Sequence, residues 1–423
     1  MIKLQKITYA EDGNRINYEY SVEQHIQKFF DNGQLYYVKY GVDVSEVPDS
    51  IAVIPFLSNI MPIAWFVGFD VHVQEVDETF YNSLSSLKEE FNKYHPDKKF
   101  KGNLQAEKLV QNTIEGEENC LLFSGGLDSF ESYTRNYDLD PYLVSIHGAD
   151  VEITDTKRWE DFVRYNSEEK IVNNDKLFYI ESNLRDFYTY QVELLVDIGW
   201  WGKIQHGMAL LGVIAPLGYH LGIHKIFIGS SNTEEIDFGW GSSPNIDEKM
   251  KWANSMVVHD GYHLRRTDKI DNIVSYSQQN DIHINLRVCY SEHRDGYNCN
   301  VCAKCQRTMF GFILSGANPN NFGFRVPDNL YELIFRNFGP NSSMTEGLKY
   351  EWKCLQKKAI ESTDFFVLQD KNIEQKEIEK FMTLDLDQII NQKSGSRKTK
   401  QKLRFIIRNK FPWLRELYRK IRY

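Results

Sequence analysis

Along the first 115 residues the apolar positions alternate with polar ones. Gln34-Leu35-Tyr36-Tyr37-Val38-Lys39-Tyr40 and Val71-His72-Val73-Gln74-Glu75-Val76 carry the two-residue period of half-buried strands. Between them lies a long uncharged run, IAVIPFLSNIMPIAWFVGF, from Ile51 to Phe69. It is long enough to cross a bilayer as a helix. Pro55 and Pro62 would interrupt such a helix twice, and Ser58-Asn59 set polar groups between them. The run therefore reads as core: a buried strand, a short proline-started helix and a second strand. Phe80, Leu84, Leu87 and Phe91 then recur at three- and four-residue steps, which predicts a helix with one buried face.

From Cys120 the texture changes. Leu121-Leu122-Phe123, Tyr142 to Ile146, Leu177 to Ile180 and Lys225-Ile226-Phe227-Ile228 are apolar runs of strand length. Helical stretches separate them, the longest from about Gln205 to Leu221. Strands alternating with helices predict an α/β fold, a doubly wound parallel sheet with ligands beyond the carboxyl ends of its strands. After about residue 340 the chain turns helical and polar. The expected organisation is an N-terminal α+β domain over 1–115, an α/β domain over 116–340 and a helical region over 341–423.

Composition narrows the class. An apolar share of 42% with 26% charged residues supplies a core and excludes wholesale disorder. The net charge of −9 is unevenly spread: residues 393–423 hold twelve Lys or Arg against one acid, Glu416, so about −20 falls on the rest. An acidic body argues against nucleic acid as the partner. Within the basic tail Leu403, Ile406, Ile407, Phe411, Leu414, Leu417, Tyr418 and Ile421 follow helical steps. Such a helix suits the acidic body of its own chain, an anionic membrane surface or RNA. The start, Met-Ile-Lys-Leu-Gln-Lys-Ile, has no apolar signal region, so the expected location is the cytoplasm, peripheral at a membrane if the tail binds one. The oligomeric state stays open, a homo-oligomer included.

Two motifs carry chemistry. In Leu121-Leu122-Phe123-Ser124-Gly125-Gly126-Leu127-Asp128-Ser129 a strand runs into two glycines, with a helix expected near Asp128. Glycines let backbone N–H groups close around an anion, and a helix N-terminus adds partial positive charge. Ser124 and Ser129 can donate hydroxyl bonds, whereas Asp128 suits a cap or Mg²⁺. The second motif is Cys289-x9-Cys299-x2-Cys302-x2-Cys305. Four thiolates at this spacing can converge on one tetrahedral ion; zinc is expected, and an iron–sulfur cluster would use the same donors. A site with all four ligands from the protein is structural. Cys120, ahead of the first strand, reads as a buried filler rather than a nucleophile.

The string S-G-G-x-D-S resembles the PP-loop of the N-type ATP pyrophosphatases, which cleave ATP between the α and β phosphates. Followed by the cysteine pattern and Arg307, it is similar to the 7-cyano-7-deazaguanine synthase family over about residues 118–318. The resemblance implies an adenine nucleotide alpha hydrolase-like fold, with ATP, Mg²⁺ and Zn²⁺ as cofactors. It implies that a carboxylate or carbonyl of an acyl substrate is adenylated and then attacked by a nitrogen donor. Ser124, Gly125, Gly126, Leu127, Asp128 and Ser129 would hold the phosphates. His147 and Gly229-Ser230 would close the nucleotide pocket, and Arg185 and Lys203 are candidate cations for developing phosphate charge. Asp150, Asp247, His259 and Asp260 are candidates for contact with the second substrate. The N-terminal 115 residues, the tail and the segment Trp240 to Asp247 depart from that family, so adenylation carries over better than the deazapurine substrate. The alternatives are a tRNA-modifying PP-loop enzyme and a nucleotide-binding adaptor that has lost catalysis.

Overall fold

The computed structural model describes residues 1–410 apart from 32, 237–238, 290–295, 340–341, 389 and 392–395. Ten strands form one sheet. In chain order they are β1 (Ile2–Ala10), β2 (Arg15–Val22), β3 (Tyr37–Lys39), β4 (Val71–Asp77) and β5 (Leu104–Val110), then β6 (Glu118–Leu122), β7 (Tyr142–His147), β8 (Leu177–Ser182), β9 (Ile223–Gly229) and β10 (Met256–Asp260). Their order across the sheet is β10-β9-β6-β7-β8-β3-β2-β1-β4-β5. The first five in that order are mutually parallel, β3, β2 and β1 are joined antiparallel, and β4 and β5 return to parallel pairing. The chain is therefore α/β with a mostly parallel sheet.

Alternation along the central strands explains why both sheet faces are covered. Cys120, Val144, Ile226 and Ile228 point into one apolar core, shared with the helices Ile54–Val67 and His206–Gly212. Leu121, Phe123, Leu143 and Phe227 point into a second, shared with Leu127–Arg135, Arg266–Asn280 and Ala303–Leu314. A parallel strand buried on both faces reads as an unbroken apolar run, as these do.

The region expected as a separate α+β unit extends the same sheet: Val38 pairs with Ser182, and Lys39 with Glu181. The run Ile51–Phe69 corrects the strand–helix–strand expectation. It forms the helices Asp49–Ala52 and Ile54–Val67, and the second is buried on every side from Ile54 to Trp65. Pro55 sits in its first turn, where no N–H is required. Pro62 lies inside, at the cost of one intrahelical bond. Ser58 and Asn59 need no water: the Ser58 hydroxyl donates to the Pro55 carbonyl at 3.0 Å and Asn59 Nδ2 does so at 2.9 Å. Among the described residues no helix is long and apolar enough to cross a membrane. The helix expected over Gln205–Leu221 is broken at Val213-Ile214, ahead of Pro216, and is preceded by a π-turn over Trp201–Gln205.

A buried polar network joins the two halves of the chain. Asn59 Nδ2 donates to the Tyr36 hydroxyl at 3.0 Å, and Asn59 Oδ1 accepts from Gln205 Nε2 at 2.8 Å. Gln205 Oε1 in turn accepts from the Tyr188 hydroxyl at 2.9 Å. Asn59→Ala leaves buried groups unpaired and should cost about 1–3 kcal/mol. Calorimetry should show a lower midpoint with residues 1–115 and the central sheet still melting together; an unchanged midpoint would refute the role of this network.

Candidate functional site

The strand order marks a switch point. From β6 the chain steps to β7 and β8 on one side, then returns to place β9 and β10 on the other. Loops leaving β6 and β9 therefore flank a crevice at the carboxyl ends of two adjacent parallel strands, where ligands of such sheets bind. The β6 loop is Ser124-Gly125-Gly126. Gly125 has φ +66°, a conformation that favours glycine, and its carbonyl accepts the Arg287 N–H at 2.7 Å. Gly126 caps the nine-residue helix Leu127–Arg135. The Ser124 and Ser129 hydroxyls lie 3.2 Å apart, and the Gly126 N–H points at Ser124 Oγ at 3.3 Å. From the β9 side, a Cβ on Gly229 would stand 2.7 Å from the Asp128 carbonyl oxygen, so only glycine lets the two loops meet.

Asp128 sits at this junction, with a side chain only 16% exposed. Its carboxylate lies 3.4 Å from Lys269 Nζ and 3.8 Å from an Arg266 nitrogen, and it accepts from the Ser231 hydroxyl at 3.3 Å. Burial pushes its pKa up, but Lys269, Arg266 and Lys304 outweigh this and hold the carboxyl below its ordinary range. It is therefore ionised at neutral pH. On one side of Asp128 opens a cavity of about 890 Å³, whose wall includes Lys203, Arg266, Lys269, Lys304 and Arg307. On the other runs a narrower arm of about 130 Å³ among the ends of β6, β7 and β9, lined by Ser124, Ser129, Asp150, Trp159 and His206. Asp128, Ser231 and Lys304 belong to both.

The candidate residues separate into those at the cleft and those behind it. Ser124, Gly126, Leu127, Asp128, Ser129, Gly229, Asp150 and Lys203 border it, whereas Gly125 does not. The Lys203 ammonium donates to the Val196 and Ile198 carbonyls, each at 2.7 Å. His147 does not line it: its ring stacks on Trp159, with centroids 4.5 Å apart and planes 5° from parallel. Arg185 donates to the Ala149 carbonyl at 2.8 Å and lies over the Trp201 ring, so it braces the loop after β7. Asp260 is occupied by the Arg135 guanidinium at 2.7 and 2.8 Å, by Asn136 at 2.9 Å and by the Ser132 hydroxyl. Its role is to tie β10 to the helix Leu127–Arg135, rather than to meet a substrate.

Asp247, His259 and Ser230 form a buried relay. His259 Nδ1 is 2.7 Å from Asp247 Oδ2, and His259 Nε2 is 2.8 Å from Ser230 Oγ. The spacing is that of a hydrolytic triad. Ser230 is fully buried, however, and its hydroxyl also bonds the Asn232 carbonyl at 2.8 Å. The relay instead braces the β9 loop from behind, while the Lys269 ammonium donates to the Ser230 carbonyl. Ser231 and Lys269 are thereby held against Asp128.

Several cleft residues escaped the sequence reading. Arg266 and Lys269 look like ordinary helix-surface cations, and nothing local marks them. His206 lies within a predicted helix; burial lowers its pKa, so the imidazole stays neutral at pH 7. Lys304 alone had a signal, since it lies between Cys302 and Cys305.

The four cysteines converge, with all four Sγ atoms within 4.8 Å of one another. Cys289 and Cys302 are separated by 3.8 Å, Cys299 and Cys305 by 3.9 Å, and Cys302 and Cys305 by 3.5 Å. A tetrahedral zinc with Zn–S bonds of about 2.3 Å requires S···S edges of about 3.8 Å. A disulfide would need about 2.05 Å. The donor set thus fits a metal such as zinc, with no ligand position left over. Cys302 also caps the helix Ala303–Leu314, which carries Lys304 and Arg307 into the cavity wall. Cys120 is fully buried, which pushes its thiol pKa up and leaves it unreactive. No family model, curated protein or solved structure matches this chain.

Elemental analysis should find one zinc per chain, and Cys302→Ser should lose it with a large drop in melting temperature. Structural zinc contributes on the order of 10 kcal/mol of apparent binding energy coupled to folding. Iron with a visible chromophore, or no metal, would refute zinc.

Proposed function

We propose that the chain is an ATP-dependent enzyme of the PP-loop type, which adenylates an acyl substrate and passes the acyl group to a nitrogen nucleophile. The observation that carries this reading is Asp128, ionised among Lys269, Arg266 and Lys304, beside a helix N-terminus at the switch point. A lone phosphate loop needs no such carboxylate. A site that holds a phosphate-bound cation does. The strand order β8-β7-β6-β9-β10 also agrees with an adenine nucleotide alpha hydrolase-like fold.

In this reading the narrow arm takes the nucleoside, and the triphosphate crosses Asp128 towards the wide cavity. Asp128 with Ser231 would hold Mg²⁺, which when bound neutralises charge on the phosphates. Ser124, Ser129 and the Gly126 N–H would bond phosphate oxygens, while Lys269, Arg266 and Lys304 offset the charge that builds on the pyrophosphate. A carboxylate oxygen of the acyl substrate attacks the α-phosphorus, the bond to the β-phosphate oxygen breaks, and pyrophosphate leaves. The nitrogen nucleophile then attacks the acyl carbon, AMP departs with the shared oxygen, and one proton leaves the nitrogen. His206, kept neutral by burial and facing the same arm as Asp150, would accept that proton. The thiolate centre has a supporting part: it fixes the helix that carries Lys304 and Arg307.

The test is pyrophosphate and AMP release from ATP, in parallel with carboxylic acids, with RNA and with no acceptor. Carboxylate-dependent release supports the reading, RNA-dependent release favours a nucleic-acid-modifying relative, and release in no arm favours a binding adaptor. Asp128→Asn and Ser124→Ala should each lower turnover by about 10²–10³. Zinc content should stay near wild type in both, as should the melting temperature of Ser124→Ala, while Asp128→Asn melts lower because Lys269 and Arg266 lose the anion between them. Near-normal turnover in both variants would defeat the proposal.

A further inference from the structure

We propose that the basic helix Ser396–Lys410 is a docking surface for an anionic membrane, held on the outside of the molecule with Leu403 and Ile407 turned outward. Two contacts establish which side faces the protein. Lys402 Nζ lies 2.5 Å from Asp197 Oδ1, and the Phe405 ring meets the Tyr190 ring edge-on at 6.3 Å between centroids. Lys402, Phe405 and Ile406 are all half-buried, and at 3.6 residues per turn they fall within about 100° of one another.

The remaining arc looks away from the body. Leu403 is 57% exposed and Ile407 41% exposed. Four residues apart, they form one strip along the helix. Arg404 and Lys410, both exposed, border that strip. The fifteen-residue helix carries seven Lys or Arg and no acid.

Charge and apolarity together select the partner. A helix docked only for stability would turn its large aliphatic side chains towards the protein and its cations to solvent. Here the inner side holds an ion pair, a ring edge and Ile406, while Leu403 and Ile407 stand in water among cations. Single-stranded RNA would use the cations and leave Leu403 and Ile407 idle. An anionic bilayer uses both: the aliphatic side chains enter the boundary of the acyl chains, and the cations meet lipid phosphates. The charge distribution also sets the orientation. The body before residue 393 is acidic and is repelled by the same surface, so the basic helix is the face that approaches. The surface is independent of the ATP reading, since none of its residues borders the cleft.

Co-sedimentation of the full chain with phosphatidylcholine vesicles, with and without phosphatidylglycerol, tests this directly. The protein should pellet with the anionic vesicles only, and less so as salt rises. The double variant Leu403→Ser, Ile407→Ser should lose most of that binding. Arg404→Gln should weaken it about fivefold, the equivalent of roughly 1 kcal/mol per cation at the surface. Zinc content and melting temperature report whether each variant is folded, and if the double variant is not, Arg404→Gln with the salt series decides. No pelleting at low salt would overturn the proposal, as would an unweakened folded double variant. Binding to single-stranded RNA that the double variant retains, with no vesicle binding, would assign the surface to nucleic acid instead.

Discussion

Two backbones touch at the centre of this molecule, where the end of β9 passes so close to the helix after β6 that Gly229 cannot carry a side chain. That contact is possible because β6 and β9 are adjacent parallel strands whose carboxyl ends are level, with Leu122 paired to Ile228. Parallel pairing on both sides of β6 leaves its exit as the place where connections diverge to opposite flanks of the sheet. The crevice that results needs no additional element to create it. Glycine at 126 and 229 then lets backbone line part of its floor.

Around that crevice the charges are arranged by burial as much as by proximity. A carboxylate at Asp128 would be unfavourable in so enclosed a place without Lys269 and Arg266. Those cations would in turn repel one another without an anion between them. The cluster is therefore balanced as it stands. Behind it, the relay from Asp247 through His259 to Ser230 and the Arg135–Asp260 fork hold the β9 and β10 ends without reaching into the cleft. The four-thiol centre does the same for the opposite wall, because Cys302 is both one of the four converging thiols and the cap of the helix bearing Lys304.

The N-terminal 115 residues belong to this architecture through hydrogen bonds and shared core rather than through the cleft. β3 pairs antiparallel with β8 and thereby adds five strands to the far side of the sheet. The helix Ile54–Val67, buried on all sides from Ile54 to Trp65, fills the space that β1–β4 and the helix after Gln205 leave between them. The Asn59–Gln205 bond crosses that interface in a place that water does not reach, which makes it directional as well as cohesive.

How much of this was legible in the chain follows from the range over which each feature is decided. The Ser124–Ser129 loop and the three cysteines from 299 to 305 are local: their residues are near neighbours, and their geometry follows from glycine conformations and a helix start. Strand positions from β6 to β9 were legible for a similar reason, since a short apolar run between helical stretches has few other uses. The run Ile51–Phe69 was not, because a segment buried on every side has no period, and its prolines look like breaks until the first turn of the helix is located. Residues 411–423, on which part of the amphipathic tail pattern falls, lie outside the described residues. His147, Arg185 and Asp260 have the right chemistry and the right neighbours in sequence, yet a ring, a carbonyl and a guanidinium from elsewhere in the fold claim them. Lys269 and Arg266 come to Asp128 from more than a hundred residues away. Local chemistry could be read from order along the chain, but which cation faces which carboxylate was decided only when the sheet and its helices packed.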